Sequence, residues 1–217
     1  MYLSKLTIDP TTKISQDHFD NPYEMHRTIM SGFDQFTNRE KANALYRLEF
    51  PNKNSYSKYP VLLVQSSIEP NWEKVKNIKG LLLYIPEQTN PSTKQFTPSF
   101  KENQILRFRL VANPTRRISN FRRIVPIRDE NELIEWLNQK AQSGGFEIFL
   151  NSLAIERKDI YQFEKRKNDH SSLITLHQVE FNGYLLIKEF HFFLRSVEKG
   201  IGRGKSFGMG LLSLAFM

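Results

Sequence analysis

Tyr23 and His26 stand three residues apart in NPYEMHRT, followed at once by Arg27. An imidazole with a pKa of about 6.5 can take or give a proton at neutral pH. A phenol one helical turn away can orient a phosphate or donate to developing negative charge. That pairing suits strand scission in RNA, where a base activates a 2′-hydroxyl to attack its own phosphate in line. If the segment is helical, Met25, Ile29, Phe33 and Phe36 form its apolar stripe. At about 100° per residue, His26 then falls about 60° from the centre of the stripe and Tyr23 about 120°, on one flank. Both can emerge at a cleft edge. The same placement suits two helix-edge residues that merely cover a core, and the residue types alone leave both readings open.

A second candidate is GIGRGKSFGMG, residues 200–210, with five glycines in eleven positions and Arg203, Lys205 and Ser206 among them. Backbone N–H groups around Gly202 and Gly204 can approach a phosphate closely, and the two cations complement it. Gly204-Lys205-Ser206 resembles the end of a nucleotide-binding P-loop. The first glycine of that motif is replaced by Lys199, however, and a strand rather than a helix is expected to follow. A glycine-rich turn before a final strand is the plainer alternative. Basic clusters make a third candidate: Arg116-Arg117, Arg122-Arg123, Arg157-Lys158 and Lys165-Arg166-Lys167. The planar fork of arginine matches phosphates and base edges, although any one cluster can equally be a solvated loop.

Other chemistries are poorly served. The chain has no cysteine, which removes disulfides, thiolate nucleophiles and Cys-based metal sites. Its five histidines, His18, His26, His170, His177 and His191, show no HxxxH or HExxH spacing. We therefore expect no metal and no small-molecule cofactor. Lys and Arg outnumber Asp and Glu by 31 to 23, a net charge of +8 that suits a polyanionic partner. The start of the chain lacks the apolar core of a signal peptide. No apolar run approaches the ~18 residues needed to span a bilayer. A cytoplasmic protein without membrane contact is expected.

The elements that must hold these residues follow from periodicity. A strand is predicted over residues 2–8, then a helix opening at Asn21-Pro22 and running to about Phe36. Strands are predicted over 44–50 and 61–67, a loop over 88–104, and a strand over 106–110, where Leu106, Phe108 and Leu110 alternate with Arg107 and Arg109. After a break at Asn113-Pro114 come a strand over 122–127, a helix over 129–141 started by Asp129, and strands over 146–154 and 173–187. The charged ERKDIYQFEKRKND is expected to connect the last two, and Asn182-Gly183 reads as a hairpin turn. A helix around 190–197, a glycine loop and a strand over 209–216 complete the chain. The pattern is α+β: two tandem ferredoxin-like βαββαβ domains, residues 1–114 and 115–217.

Four segments together resemble one family. MYLSKL at the start, NPYEMHRT at 21–28, LRFRLVANPTRR at 106–117 and GIGRGKSFGMGLLSLA at 200–215 are similar to the CasE-type CRISPR repeat endoribonucleases of the RAMP superfamily. The resemblance implies two ferredoxin-like domains related to the RNA-recognition fold. It implies binding of a CRISPR repeat hairpin and a cut at the 3′ base of its stem, leaving a 5′-hydroxyl and a 2′,3′-cyclic phosphate. It also implies that the enzyme stays on its product beside other subunits of the Cascade complex. By the same resemblance His26 is the general acid or base and Tyr23 its companion. Lys165, Arg166 and Lys167 fall where the family places a basic hairpin against the RNA stem. Arg27 and the loop from Gly202 through Arg203, Gly204 and Lys205 to Ser206 are expected near the backbone at the cut. Arg203 stands where many relatives have Pro, and Ser31 where some carry Lys. The rival readings are a non-catalytic RNA-binding subunit of a CRISPR complex, a ferredoxin-like scaffold without RNA, and a metal-dependent nuclease.

Overall fold

A computed structural model describes residues 1–36, 39–52, 57–118, 123–167 and 170–216. The side chains of residues 39–40, 123, 157–159, 164–167 and 170–172 lie outside what is described. The chain divides into two units, Met1–Thr97 with Ser206–Gly208, and Pro98–Lys205 with Met209–Met217.

The first unit contains β1 (Tyr2–Thr7), α1 (Lys13–Asp20), α2 (Pro22–Ser31), β2 (Leu45–Glu49), β3 (Val61–Ser66), α3 (Glu73–Lys76) and β4 (Ser92–Gln95). Its antiparallel sheet has the order β2-β3-β1-β4. With α2 after the first strand and α3 after the third, this is the split βαββαβ arrangement. Met25, Ile29 and Phe33 join Leu6, Ile8, Leu62, Val64 and Trp72 in one core. The helix stops at Ser31 rather than near Phe36, capped by Gly32, where a Cβ would stand 2.7 Å from the Trp72 ring. Three elements, α1, the short α3 and β4, were not anticipated. α1 buries Ser15 and His18 instead of aliphatic residues, so it shows little apolar periodicity. β4, inside the expected loop, is exposed at all four positions and is defined only by pairing with β1.

The second unit contains β5 (Ile105–Ala112), β6 (Thr115–Ile118), β7 (Arg123–Pro126), α4 (Glu130–Ser143), β8 (Phe146–Ile148), β9 (Ala154–Lys167), β10 (His170–Ile187), α5 (Phe190–Lys199) and β11 (Leu212–Ala215). The sheet order β11-β5-β10-β8 repeats that of the first unit, and β6 and β7 form a separate ribbon. β5 pairs with β10 and β11, so the division falls at Thr97/Pro98 and not near residue 115. Asp129 caps α4 as expected, its carboxylate accepting from the Glu132 N–H at 3.0 Å. Trp136 of α4 stacks on Phe181 with ring centroids 5.9 Å apart, and Phe193 of α5 meets Phe100 and Phe146 edge-on.

The charged segment expected as a connection is itself the strand β9. It pairs with β10 from Asn182 up to His170, whereas β5 covers only Val179–Leu186 of β10. Eight residues of each strand therefore project as a two-stranded ribbon about 26 Å long at ~3.3 Å per residue. Asn182-Gly183 makes no turn: Gly183 lies within β10 opposite Phe108, where a Cβ would meet the Ser152 carbonyl oxygen at 3.1 Å. The glycine is there for close approach, and tertiary pairing overrides the local turn signal.

Candidate active site

α2 begins on the cap the sequence supplies. The Asn21 side chain accepts from the Tyr23 N–H at 3.1 Å, and Pro22 takes a position whose N–H would have no helical partner. With Met25 and Ile29 turned into the core, Tyr23 and His26 are half-buried on one flank and Arg27 is exposed. Arg27 reaches back one turn to Glu24, with Nη1 2.9 Å from the carboxylate.

A residue that sequence reasoning did not single out, Tyr46 on β2, lies beside this flank. Its ring, 2% exposed, stacks near that of His26 with centroids 6.4 Å apart and planes inclined by 20°. Its hydroxyl lies 3.0 Å from the carbonyl oxygens of both Pro22 and Ser206, donating one proton between them. Burial raises the phenol's pKa well above its ordinary value, so it remains a donor at any working pH. Gly208, at φ +81°, backs onto the same ring, where a Cβ would stand 3.2 Å from Tyr46 Cε2. The first unit thus brings Pro22, His26 and Ser206 around a buried tyrosine. No motif marks Tyr46; the only hint is one aromatic side chain in an otherwise aliphatic and charged strand.

The remaining loop residues belong to the second unit. Gly202 and Gly204 have φ of +82° and +84°, which side chains rarely adopt. Arg203 is exposed and forms an isolated antiparallel bridge with Asn113. Lys205 is half-buried, and its ammonium is held below the ordinary lysine value first by burial, then by Lys199 and Lys140. Lys140 lies 5.8 Å from the centroid of the Trp136 ring, and Gly202 packs on the same ring. Gly204 to Gly208 also spells GxSxG, but its centre, Lys205–Phe207, is a 3-10 turn and the strand β11 follows it. Without the strand–turn–helix of a nucleophile elbow, Ser206 is no activated nucleophile.

Residues 1–215 match the family model described as CRISPR associated protein. The chain belongs to this family. The CRISPR-associated endoribonuclease Cse3 of Thermus thermophilus is 32% identical over 225 residues, covering 99% of this chain and 100% of that protein. A structure of Cse3 bound to a 19 nt RNA matches with a TM-score of 0.81 at 30% identity, over 99% of this chain and 100% of that one. The crystal structure of Cas6e from Escherichia coli str. K-12 matches with a TM-score of 0.69 at 26% identity, over 100% of both chains. These matches agree with the two ferredoxin-like units traced above.

In this CRISPR-associated protein the basic clusters fare unequally. Arg116 pairs with Glu132 at 2.7 Å, and Arg117 is exposed on β6. Arg122 lies outside the described residues, as do the side chains of Arg123, Arg157, Lys158, Lys165, Arg166 and Lys167. The backbones of Lys165, Arg166 and Lys167 pair with Ser172, Ser171 and His170, at the far end of the projecting ribbon. Among the described residues, no three His, Asp or Glu side chains gather as a metal site. No described helix is long and apolar enough to cross a membrane.

Proposed function

We propose that this chain is a metal-independent endoribonuclease that processes CRISPR precursor RNA in the cytoplasm. It binds the repeat hairpin, cuts at the 3′ base of the stem, and remains on the mature guide RNA with other Cascade subunits. The observation that carries this reading is the Tyr23–His26 flank of α2, fixed beside Ser206, in a chain 32% identical to an endoribonuclease.

The chemistry is transfer of one phosphodiester. The 2′-oxygen forms a bond to phosphorus as the bond to the 5′-oxygen breaks. A base takes the 2′-hydroxyl proton, and an acid supplies the proton that the departing 5′-oxygen needs. The products are a 2′,3′-cyclic phosphate and a 5′-hydroxyl. His26 serves as base or acid, and Tyr23 orients the phosphate or donates to its developing charge. Arg27, Arg203 and Lys205 contribute positive charge against the backbone, with the N–H groups of the Gly202–Ser206 loop. Lys165, Arg166 and Lys167 lie on a ribbon whose width suits a nucleic-acid groove or its phosphates.

A single-turnover assay on a labelled repeat hairpin in EDTA tests the proposal, with a 2′-deoxy substitution at the cut site as control. Wild type should cut once, the deoxy RNA should survive, and His26→Ala should slow cutting by about 10²–10⁴-fold while still binding. Tight binding without a cut by the wild type would leave a structural RNA-binding subunit. Loss of cutting in EDTA would point to a metal-dependent nuclease instead.

A further inference from the structure

We infer that Tyr46 is a positioning residue for the cleavage reaction, its buried hydroxyl tying the first turn of α2 to the Ser206–Gly208 segment and so fixing the placement of His26. The inference rests on the reading of His26 as the catalytic acid or base and adds a residue that no motif marks.

Four contacts meet on this one side chain. The hydroxyl serves Pro22, which opens α2 one turn before His26. It also serves Ser206, 160 residues away in sequence. The ring faces that of His26 at 20° on one side, and Gly208 closes on its edge from another. The phenol is almost wholly buried, so its hydroxyl depends on these two carbonyls rather than on water. Gly208 adopts φ +81°, so the segment meets the ring by backbone alone, without an intervening side chain. A tyrosine serving only to fill the core would need none of the hydroxyl contacts, and phenylalanine would replace it.

Tyr46→Phe keeps the ring and removes only the hydroxyl. Its single-turnover rate at saturating enzyme should fall about tenfold or more, while hairpin affinity stays within about twofold, since a small misplacement of a catalytic group costs far more in rate than in binding. In the double variant with His26→Ala, Tyr46→Phe should add no further loss, because it acts through His26. Gly208→Ala, which presses a methyl onto the ring from the other side, should likewise lower rate more than affinity. It also keeps the test open if Tyr46→Phe does not fold. A wild-type rate in the soluble, folded variants would overturn the inference. So would equal losses of rate and affinity, or a full multiplicative loss in the double variant. If His26→Ala itself cuts like the wild type, the reading of the site fails and the positioning role goes with it. If His26→Ala is inactive while Tyr46→Phe is unaffected, only the role of Tyr46 falls.

Discussion

Arg27 illustrates what one side chain on the His26 flank can be asked to do. Its ion pair with Glu24 is an exposed i,i+3 contact, worth about 0.2–0.5 kcal/mol in a helix and less at high salt. So little stabilisation gives no structural reason for an arginine here, whereas a guanidinium beside a scissile phosphate has one. Arg27→Ala should therefore leave the urea midpoint within error of wild type. The same variant should weaken hairpin binding severalfold, slow cleavage, or both, as read in one binding and single-turnover series. A lowered midpoint with unchanged RNA behaviour would return Arg27 to a helix-surface role. The placement of Tyr23 and His26 on one flank of α2 was legible in the sequence, because spacing along a helix fixes which residues share a flank. Tyr46 was not legible: its partners lie 24 and 160 residues away, and such contacts leave no local pattern.

At the scale of elements, legibility followed where each element finds its stabilisation. α2 announced itself through an Asn-Pro start and an aliphatic stripe. α1 is held to its neighbour by a buried histidine, with His18 Nδ1 2.7 Å from the Ile14 carbonyl and Nε2 2.8 Å from Thr28 Oγ1. A donated proton at Nδ1 leaves Nε2 to accept from the threonine, so the joint is polar and escapes an apolar-periodicity search. β9 escaped for a related reason, since its charges resemble a loop until its register with β10 is known. The Asn182-Gly183 signal misled in the opposite sense, as a local turn preference overruled by pairing to β5. The ribbon made by β9 and β10 carries its own prediction. Replacing Lys165, Arg166 and Lys167 together by Gln should weaken hairpin binding and flatten its salt dependence. For every phosphate these residues no longer neutralise, the slope of log K against log salt should shrink by about 0.7–0.9. An unchanged slope would mean that these residues read no phosphate, whatever happens to the affinity.

The whole molecule carries a net charge of +8, and that excess favours a partner that prefers the protonated form of its cations. Lys205 makes the linkage measurable. In the free protein its ammonium is depressed below 10.5 by burial and by Lys199 and Lys140. At Lys205 the unfolded chain therefore binds more of a proton than the folded one in the window between the depressed value and 10.5. The contribution of Lys205 to stability then rises with pH across that window, and the folded protein is penalised at lower pH, where Lys205 is forced to stay charged. A bound phosphate reverses the sign for binding. It favours the ammonium, so RNA binding takes up a proton in the same window and weakens as pH rises through it. Two measurements follow from one substitution, Lys205→Gln. In urea unfolding without RNA, the wild type should gain stability relative to the variant as pH rises through that window. Affinity for a cleavage-resistant deoxy hairpin should differ most from wild type at neutral pH and converge with it as Lys205 discharges. Convergence in stability without convergence in affinity would place Lys205 away from the RNA. Parallel affinity curves offset by a constant factor would mean that the side-chain stem, rather than its charge, meets the RNA.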